Sequence, residues 1–181
     1  AAARIGYSAA NAMRVAEELY MNGFISYPRT DNTIYPPSLN LESILTTLEK
    51  TQFAPDVAWV RKNKRSKPTE GKKSSTDHPP IHPTGVATQE QLGENWKLYE
   101  LVVRRFLATL SPDAEWATMR IGMDASGQNY ISTGSRLTEP GWRTVYPYSE
   151  AKDSILPVVK TGEKLKIQDL NLEEKQTQPP P

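Results

Sequence analysis

Residues 23–40 read Gly-Phe-Ile-Ser-Tyr-Pro-Arg-Thr-Asp-Asn-Thr-Ile-Tyr-Pro-Pro-Ser-Leu-Asn. Gly23 is a helix stop, and Phe24-Ile25-Ser26-Tyr27 is a short β-like run. Pro28 breaks that run because it has no N–H to donate to a ladder. Arg29, Thr30, Asp31 and Asn32 then form a polar loop. Pro36 and Pro37 lead into a helix over roughly 38–50, carried by Leu39, Leu41, Ile44, Leu45 and Leu48. The stretch therefore sets a tyrosine where a buried helix–strand unit gives way to polar loop.

Upstream, Ser8 caps a helix running to about Asn22, with Ile5, Ala9, Ala12, Val15, Ala16, Leu19 and Tyr20 near a 3.6-residue repeat. Downstream, Thr88 caps a short helix through Leu92. A stronger helix at about 95–110 puts Trp96, Tyr99, Val102, Val103, Phe106 and Leu110 on its apolar side. From Ala114 the period changes. The segments WATMRIGMD, NYISTGSRL, WRTVYPY and EKLKIQDLNLEE alternate or run β-rich, with SGQ and TGE as turns. The expected class is α+β: a helical module at 1–111, a small β-rich module at 112–176 and a tail at 177–181.

A chain of 181 residues is long enough to bury a core in one or two domains. It has no cysteine, which excludes disulfides, a thiol nucleophile and a zinc finger. No run approaches the roughly 18 consecutive apolar residues of a membrane span. The formal charge is only +1, but residues 61–83 hold seven basic and two acidic groups, between mildly acidic flanks. Residues 61–77, with Lys62, Lys64 and Arg65, are expected to form a flexible exposed basic loop suited to phosphate contacts; a solvated linker fits the same composition. The chain opens on AAARIGYSAAN and closes on QTQPPP, so both ends read as cut from something longer.

In an extended chain, residues i and i+2 share a face, so Tyr27 and Arg29 can address one ligand. A guanidinium beside a phenol binds a phosphate bidentately and steadies the charge that grows as the phenol oxygen attacks. Only about one unperturbed tyrosine in a thousand is phenolate at neutral pH, so nearby positive charge has to assist. The competing reading is a packing tyrosine. The second polar string, Asp-His-Pro-Pro-Ile-His-Pro-Thr-Gly at 77–85, holds both histidines, His78 and His82. Prolines 79, 80 and 83 exclude the helix that would aim both rings at one metal. A proline-bracketed imidazole suits a phosphate contact, and a solvated turn histidine is its bland alternative.

Gly23-Phe-Ile-Ser-Tyr-Pro-Arg-Thr-Asp-Asn32 resembles the active-site tyrosine motif of type IA DNA topoisomerases, and His78-Pro-Pro-Ile-His-Pro-Thr84 resembles the family's second motif. Both are nearer the topoisomerase III and archaeal forms than the bacterial topoisomerase I form. AMRVAEELYMNG and LYELVVRRFLATL also fit, so the likeness covers nearly the whole chain. It implies transesterification: Tyr27 attacks a phosphodiester of single-stranded DNA and forms a 5′-phosphotyrosyl link, a second strand passes, and the 3′-hydroxyl reverses the step. By matching residues, Arg29 would hold the scissile phosphate and His78 would contact the same region. Asp31 would orient the loop, with Thr30 as a lesser candidate. With the basic loop, the implied DNA contacts are Arg29, Thr30, Asp31, His78, His82, Lys62, Lys64 and Arg65. The resemblance further implies a winged-helix-like, CAP-type domain followed by part of an arch domain.

The family's Toprim domain, with its catalytic Glu and its acidic cluster for Mg²⁺, has no match here, and neither has the domain completing the DNA groove. No metal ligand is therefore expected in this chain. It is expected not to relax supercoiled DNA alone and to need those domains as partners. Its place would be the nucleoid of a prokaryote or a eukaryotic nucleus. The motifs leave open a helicase or single-strand-binding partner. The chief alternative is a non-catalytic winged-helix-like DNA-binding module. Tyrosine recombinases, which put Arg and His before the Tyr, and relaxases, with their His-hydrophobe-His metal motif, fit less well.

Overall fold

The computed structural model describes residues 2–75, 77–169, 171, 173–174 and 176–177. Ser8 opens helix α1, Ala9–Met21, its hydroxyl accepting from the Asn11 amide at 3.2 Å. The helix stops at Gly23, whose φ of +76° lets the Gly23 and Phe24 amides turn back onto the Tyr20 and Leu19 carbonyls, both at 2.9 Å. Asn40 caps α2, Leu41–Leu48, by accepting from the Ser43 amide. The helix α3, Ala54–Asn63, was not anticipated; it starts with Pro55 in its first turn and buries Val57 and Val60. Its last turn contains Arg61 and Lys62, so the expected loop at 61–77 begins as helix. Thr88 and Gln91 form a reciprocal capping box on the short α4, Gln89–Leu92. A 3-10 turn then leads into α5, Trp96–Leu110.

Helix α5 is apolar almost all round: Trp96, Leu98, Tyr99, Leu101, Val103, Phe106, Leu107, Ala108 and Leu110 are buried. It packs against α1 and α3. Phe53 stacks on Trp96 at 5.7 Å between centroids. Burial pushes the Tyr99 phenol up to about 12, and its hydroxyl donates to the Gly85 carbonyl at 2.8 Å. Arg104 ties α5 to α3 through Asp56 at 3.0 Å and also bonds Glu100 on its own helix at 2.7 Å.

After α5 the chain makes an antiparallel hairpin, β1 (Glu115–Ala125) and β2 (Gln128–Glu139), turning at Ser126-Gly127. The molecule is thus a mixed α+β structure with one two-stranded sheet among its described residues. Two β expectations fail. WRTVYPY overlaps a 3-10 turn, Gly141–Thr144, whose Trp142 amide donates to the Pro112 carbonyl at 2.8 Å. That turn brings Val145, fully buried, back against the helices. Residues 163–169 of the EKLKIQDLNLEE segment form no strand. Alternation marks a strand only where a partner edge accepts it.

What positions the polar loops is a short antiparallel ladder between the two motifs. Ile25 bridges Pro83, the Ser26 amide donates to the His82 carbonyl at 2.9 Å, and the Thr84 amide donates to the Phe24 carbonyl at 3.0 Å. The His82 amide donates to the Ser26 hydroxyl at 3.0 Å. The His82 ring is 4% exposed, with Nδ1 2.8 Å from the Pro80 carbonyl. The remaining basic segment is pinned as well. The Arg65 and Thr69 amides bond the Leu110 and Thr109 carbonyls, and the Thr33 amide bonds the Lys73 carbonyl. The expected free loop is instead a strap tied to α5 and to the Tyr27 loop.

Leu107→Ala, at a fully buried site on α5, is expected to cost about 2–5 kcal/mol of unfolding free energy. Ile155→Ala, at a site 74% exposed, should shift it by less than about 0.5 kcal/mol in the same urea titration. Burial lowers the His82 pKa below its ordinary 6.5, against a smaller opposing effect of the Pro80 carbonyl. The unfolded chain therefore takes up a proton below about 6.5 that the folded chain refuses, and stability falls as the pH drops through that point. Urea midpoints between pH 7.5 and 5.5, above the carboxylate range, should decline in the wild type and flatten in His82→Gln.

Candidate active site

The ladder delivers both polar strings to one place. Tyr27 leaves its end half-buried, and His78 arrives from the other strand, the two ring centroids 4.5 Å apart. Tyr20, on α1, sets its ring edge-on to Tyr27 at 5.3 Å. Pro28 is buried, so Tyr27 and Arg29 flank a fixed point of the backbone. Behind Pro28 lies a cleft of about 760 Å³ walled by Met13, Ile25, Ile81 and Val102 together with Arg105, Tyr146 and Tyr148.

Arg29 is exposed. Its Nε donates to Glu17 Oε1 at 2.7 Å, and its NH2 contacts the same oxygen. The Glu17 hydrogen bond, then the Glu17 charge, raises the Arg29 pKa. Asp31 pairs with Lys73 at 3.0 Å across exposed surface, and that bond lowers its pKa.

Asn32 holds the site's two halves together. It is 8% exposed, and its Nδ2 donates to the Ser75 and His78 carbonyls, both at 2.9 Å. Its Oδ1 accepts from the Ile34 amide, while its own amide donates to the Thr30 hydroxyl at 3.1 Å. Thr30 also reaches the His78 carbonyl, at a long 3.4 Å. The sequence marked Asn32 only as part of a motif; its burial among backbone carbonyls depends on a segment 46 residues away. Glu17 gave no local signal either, sitting in an ordinary amphipathic helix. At the close approach behind the site, a Cβ on Gly85 would stand 2.6 Å from the Gly23 carbonyl oxygen, so only glycine fits there.

Tyr27 and Thr30 therefore meet the His78 segment, Arg29 faces Glu17 on α1, Asp31 faces Lys73, and His82 is turned inward and braces the ladder. Two of the three basic residues expected to meet DNA are engaged in ion pairs. Lys64 pairs with Glu42 on α2, and Arg65 with Asp113 at 3.1 Å. Lys62 lies exposed on the last turn of α3.

A hard cation such as Mg²⁺ is held by oxygens, usually with carboxylates among them. Asp31 already bonds Lys73, and the described residues gather no group of three possible ligands. The described residues do not fit a Mg²⁺ site. What the cluster can do is grip an anion beside a phenol hydroxyl.

The sequence profile of the DNA topoisomerase family matches residues 1–181. The chain is 48% identical over 170 residues to DNA topoisomerase 1 of Archaeoglobus fulgidus, covering 93% of this chain and 26% of that protein. It is 40% identical over 180 residues to DNA topoisomerase 1 of Thermoplasma acidophilum, covering 99% and 23%. To DNA topoisomerase 3-alpha of Homo sapiens it is 34% identical over 186 residues, covering 99% and 18%. The chain thus spans about a quarter of the length of the archaeal relatives and less of the human one. The match runs through both polar strings and the helices between them, and by it this chain belongs to the type IA DNA topoisomerases.

Proposed function

We propose that this chain is the tyrosine-bearing part of an enzyme that cuts and rejoins one DNA strand through Tyr27. In the forward step the Tyr27 oxygen bonds to a backbone phosphorus as the bond to the 3′ oxygen breaks. The phenolic proton leaves and the 3′ oxygen gains one, which gives a 5′-phosphotyrosyl link and a free 3′-hydroxyl. Attack by that hydroxyl reverses the step after a second strand has passed. Because the phosphodiester is exchanged for another phosphoester, the strand is resealed without an outside energy source. Arg29 grips the non-bridging oxygens and offsets the charge that grows in the transition state. His78 packs on the Tyr27 ring and faces the same phosphate, while Thr30 and Asp31 shape the loop.

The observation that carries this reading is the 4.5 Å contact between the Tyr27 and His78 rings, with Arg29 two residues along the Tyr27 segment. The helical part is read as a winged-helix-like, CAP-type gate and the hairpin as part of a neighbouring arch. The general acid and the Mg²⁺ ligands come from a Toprim domain elsewhere in the polypeptide. Lys62, Lys64 and Arg65 are read as further DNA contacts away from the tyrosine, a reading supported by the exposure of Lys62 and Lys64.

In the topoisomerase polypeptide with its Toprim domain, end-labelled single-stranded DNA should become covalently attached, and Tyr27→Phe should abolish the adduct. Arg29→Gln should slow cleavage by about 10²-fold, the usual loss when one transition-state donor is removed. An adduct that survives Tyr27→Phe would sink the assignment. This chain alone should not relax supercoiled plasmid in Mg²⁺, and relaxation by it would overturn the division of the site between domains.

A further inference from the structure

Glu17 precedes Tyr20 by three residues on α1, so the two project from one side of that helix. Tyr20 meets Tyr27, and Glu17 meets Arg29. One carboxylate oxygen of Glu17 takes both Nε and NH2 of the guanidinium. That paired edge is one by which an arginine grips an oxyanion bidentately, so a phosphate using it must first displace the carboxylate. The Arg29 and Glu17 side chains are 60% and 42% exposed, so water and salt screen the pair and leave it easy to exchange.

We propose that Glu17 is a positioning residue that stores the Arg29 guanidinium against α1 and yields it to a backbone phosphate arriving beside Tyr27. The proposal rests on the reading of Arg29 as a phosphate ligand given above. In the resting state the carboxylate occupies the guanidinium edge and repels a phosphate. When DNA binds, the phosphate takes the guanidinium and Glu17 is left to water. The same helix face keeps Tyr27 in place throughout, because the Tyr20 contact involves no charge and need not break. Glu18, the next residue, faces Arg14 at 3.3 Å instead and supplies a control with the same change of charge.

The test is binding of a short labelled single-stranded oligodeoxynucleotide to this chain, read beside the Arg29 Nε–Hε nuclear resonance. Glu17→Gln should bind about two- to fivefold more tightly at low salt, the range set by an exposed ion pair. Glu18→Gln should give no such gain, and Glu17→Gln should give none when Arg29 is already Gln. The Arg29 resonance should differ between wild type and Glu17→Gln before DNA is added and converge at saturation. Equal affinity of wild type and Glu17→Gln, including no binding by either, overturns the proposal. So does an equal gain in Glu18→Gln or a gain that survives without Arg29. If Arg29→Gln weakens binding while Glu17→Gln changes nothing, only the exchange falls. If Arg29→Gln leaves binding unchanged, the reading of Arg29 as a phosphate ligand falls with it.

Discussion

The ladder between Phe24–Ser26 and His82–Thr84 is the constraint on which the arrangement of the site depends. The bond from the His82 amide to the Ser26 hydroxyl closes a loop across 56 positions. The entropy of closing a loop grows only slowly with its length, and here α2 and α3 fill the loop and bury their own apolar faces. Closure is therefore supported from inside by Leu45, Leu48, Val57 and Val60 packing with the rest of the core. Without the ladder, Tyr27 and His78 would lie on separate polar segments. With it, Asn32 can reach the backbone beside His78, and the rings meet.

Charge is arranged on a different principle. The basic block looks, in sequence, like a reservoir of free cations. Folding pairs much of it: Arg61 and Lys64 with carboxylates of α2 and its C-cap, Arg65 with Asp113, and Lys73 with Asp31. Lys64–Glu42 and Lys73–Asp31 lie on exposed surface, where salt screens them, whereas the Arg61 and Arg65 side chains are only 35% and 30% exposed. Local net charge thus overstates the field this segment presents at rest. The exposed pairs are the ones whose cations an incoming anion can reach.

Much of this was legible in sequence because it is local. The Ser8 cap, the stop at Gly23, the Thr88 box and the apolar side of α5 are decided by residues within a few positions of one another. Helix α3 was missed because its apolar side is little more than Val57 and Val60, set among charged residues, and packing rather than pattern stabilises it. The 140–149 segment alternates like a strand, but its aromatic residues are spent on contacts with α5 and with one another. Tyr27, Arg29 and His78 stood out by residue type. Asn32 and Glu17 did not, since their importance lies in partners 46 and 12 positions away.

The cluster divides into a fixed half and a loose half. Ser26, Asn32 and His82 are buried, and their side chains are hydrogen-bonded to backbone groups. Arg29, Asp31 and His78 are exposed, and the contacts of Arg29 and Asp31 are ion pairs that solvent can replace at little cost. A site built this way holds the tyrosine's backbone rigidly while leaving the charged groups around it free to exchange one anion for another. That division suits the reversible exchange proposed for Tyr27, in which the frame would hold through both directions of the step while the charges follow the phosphate.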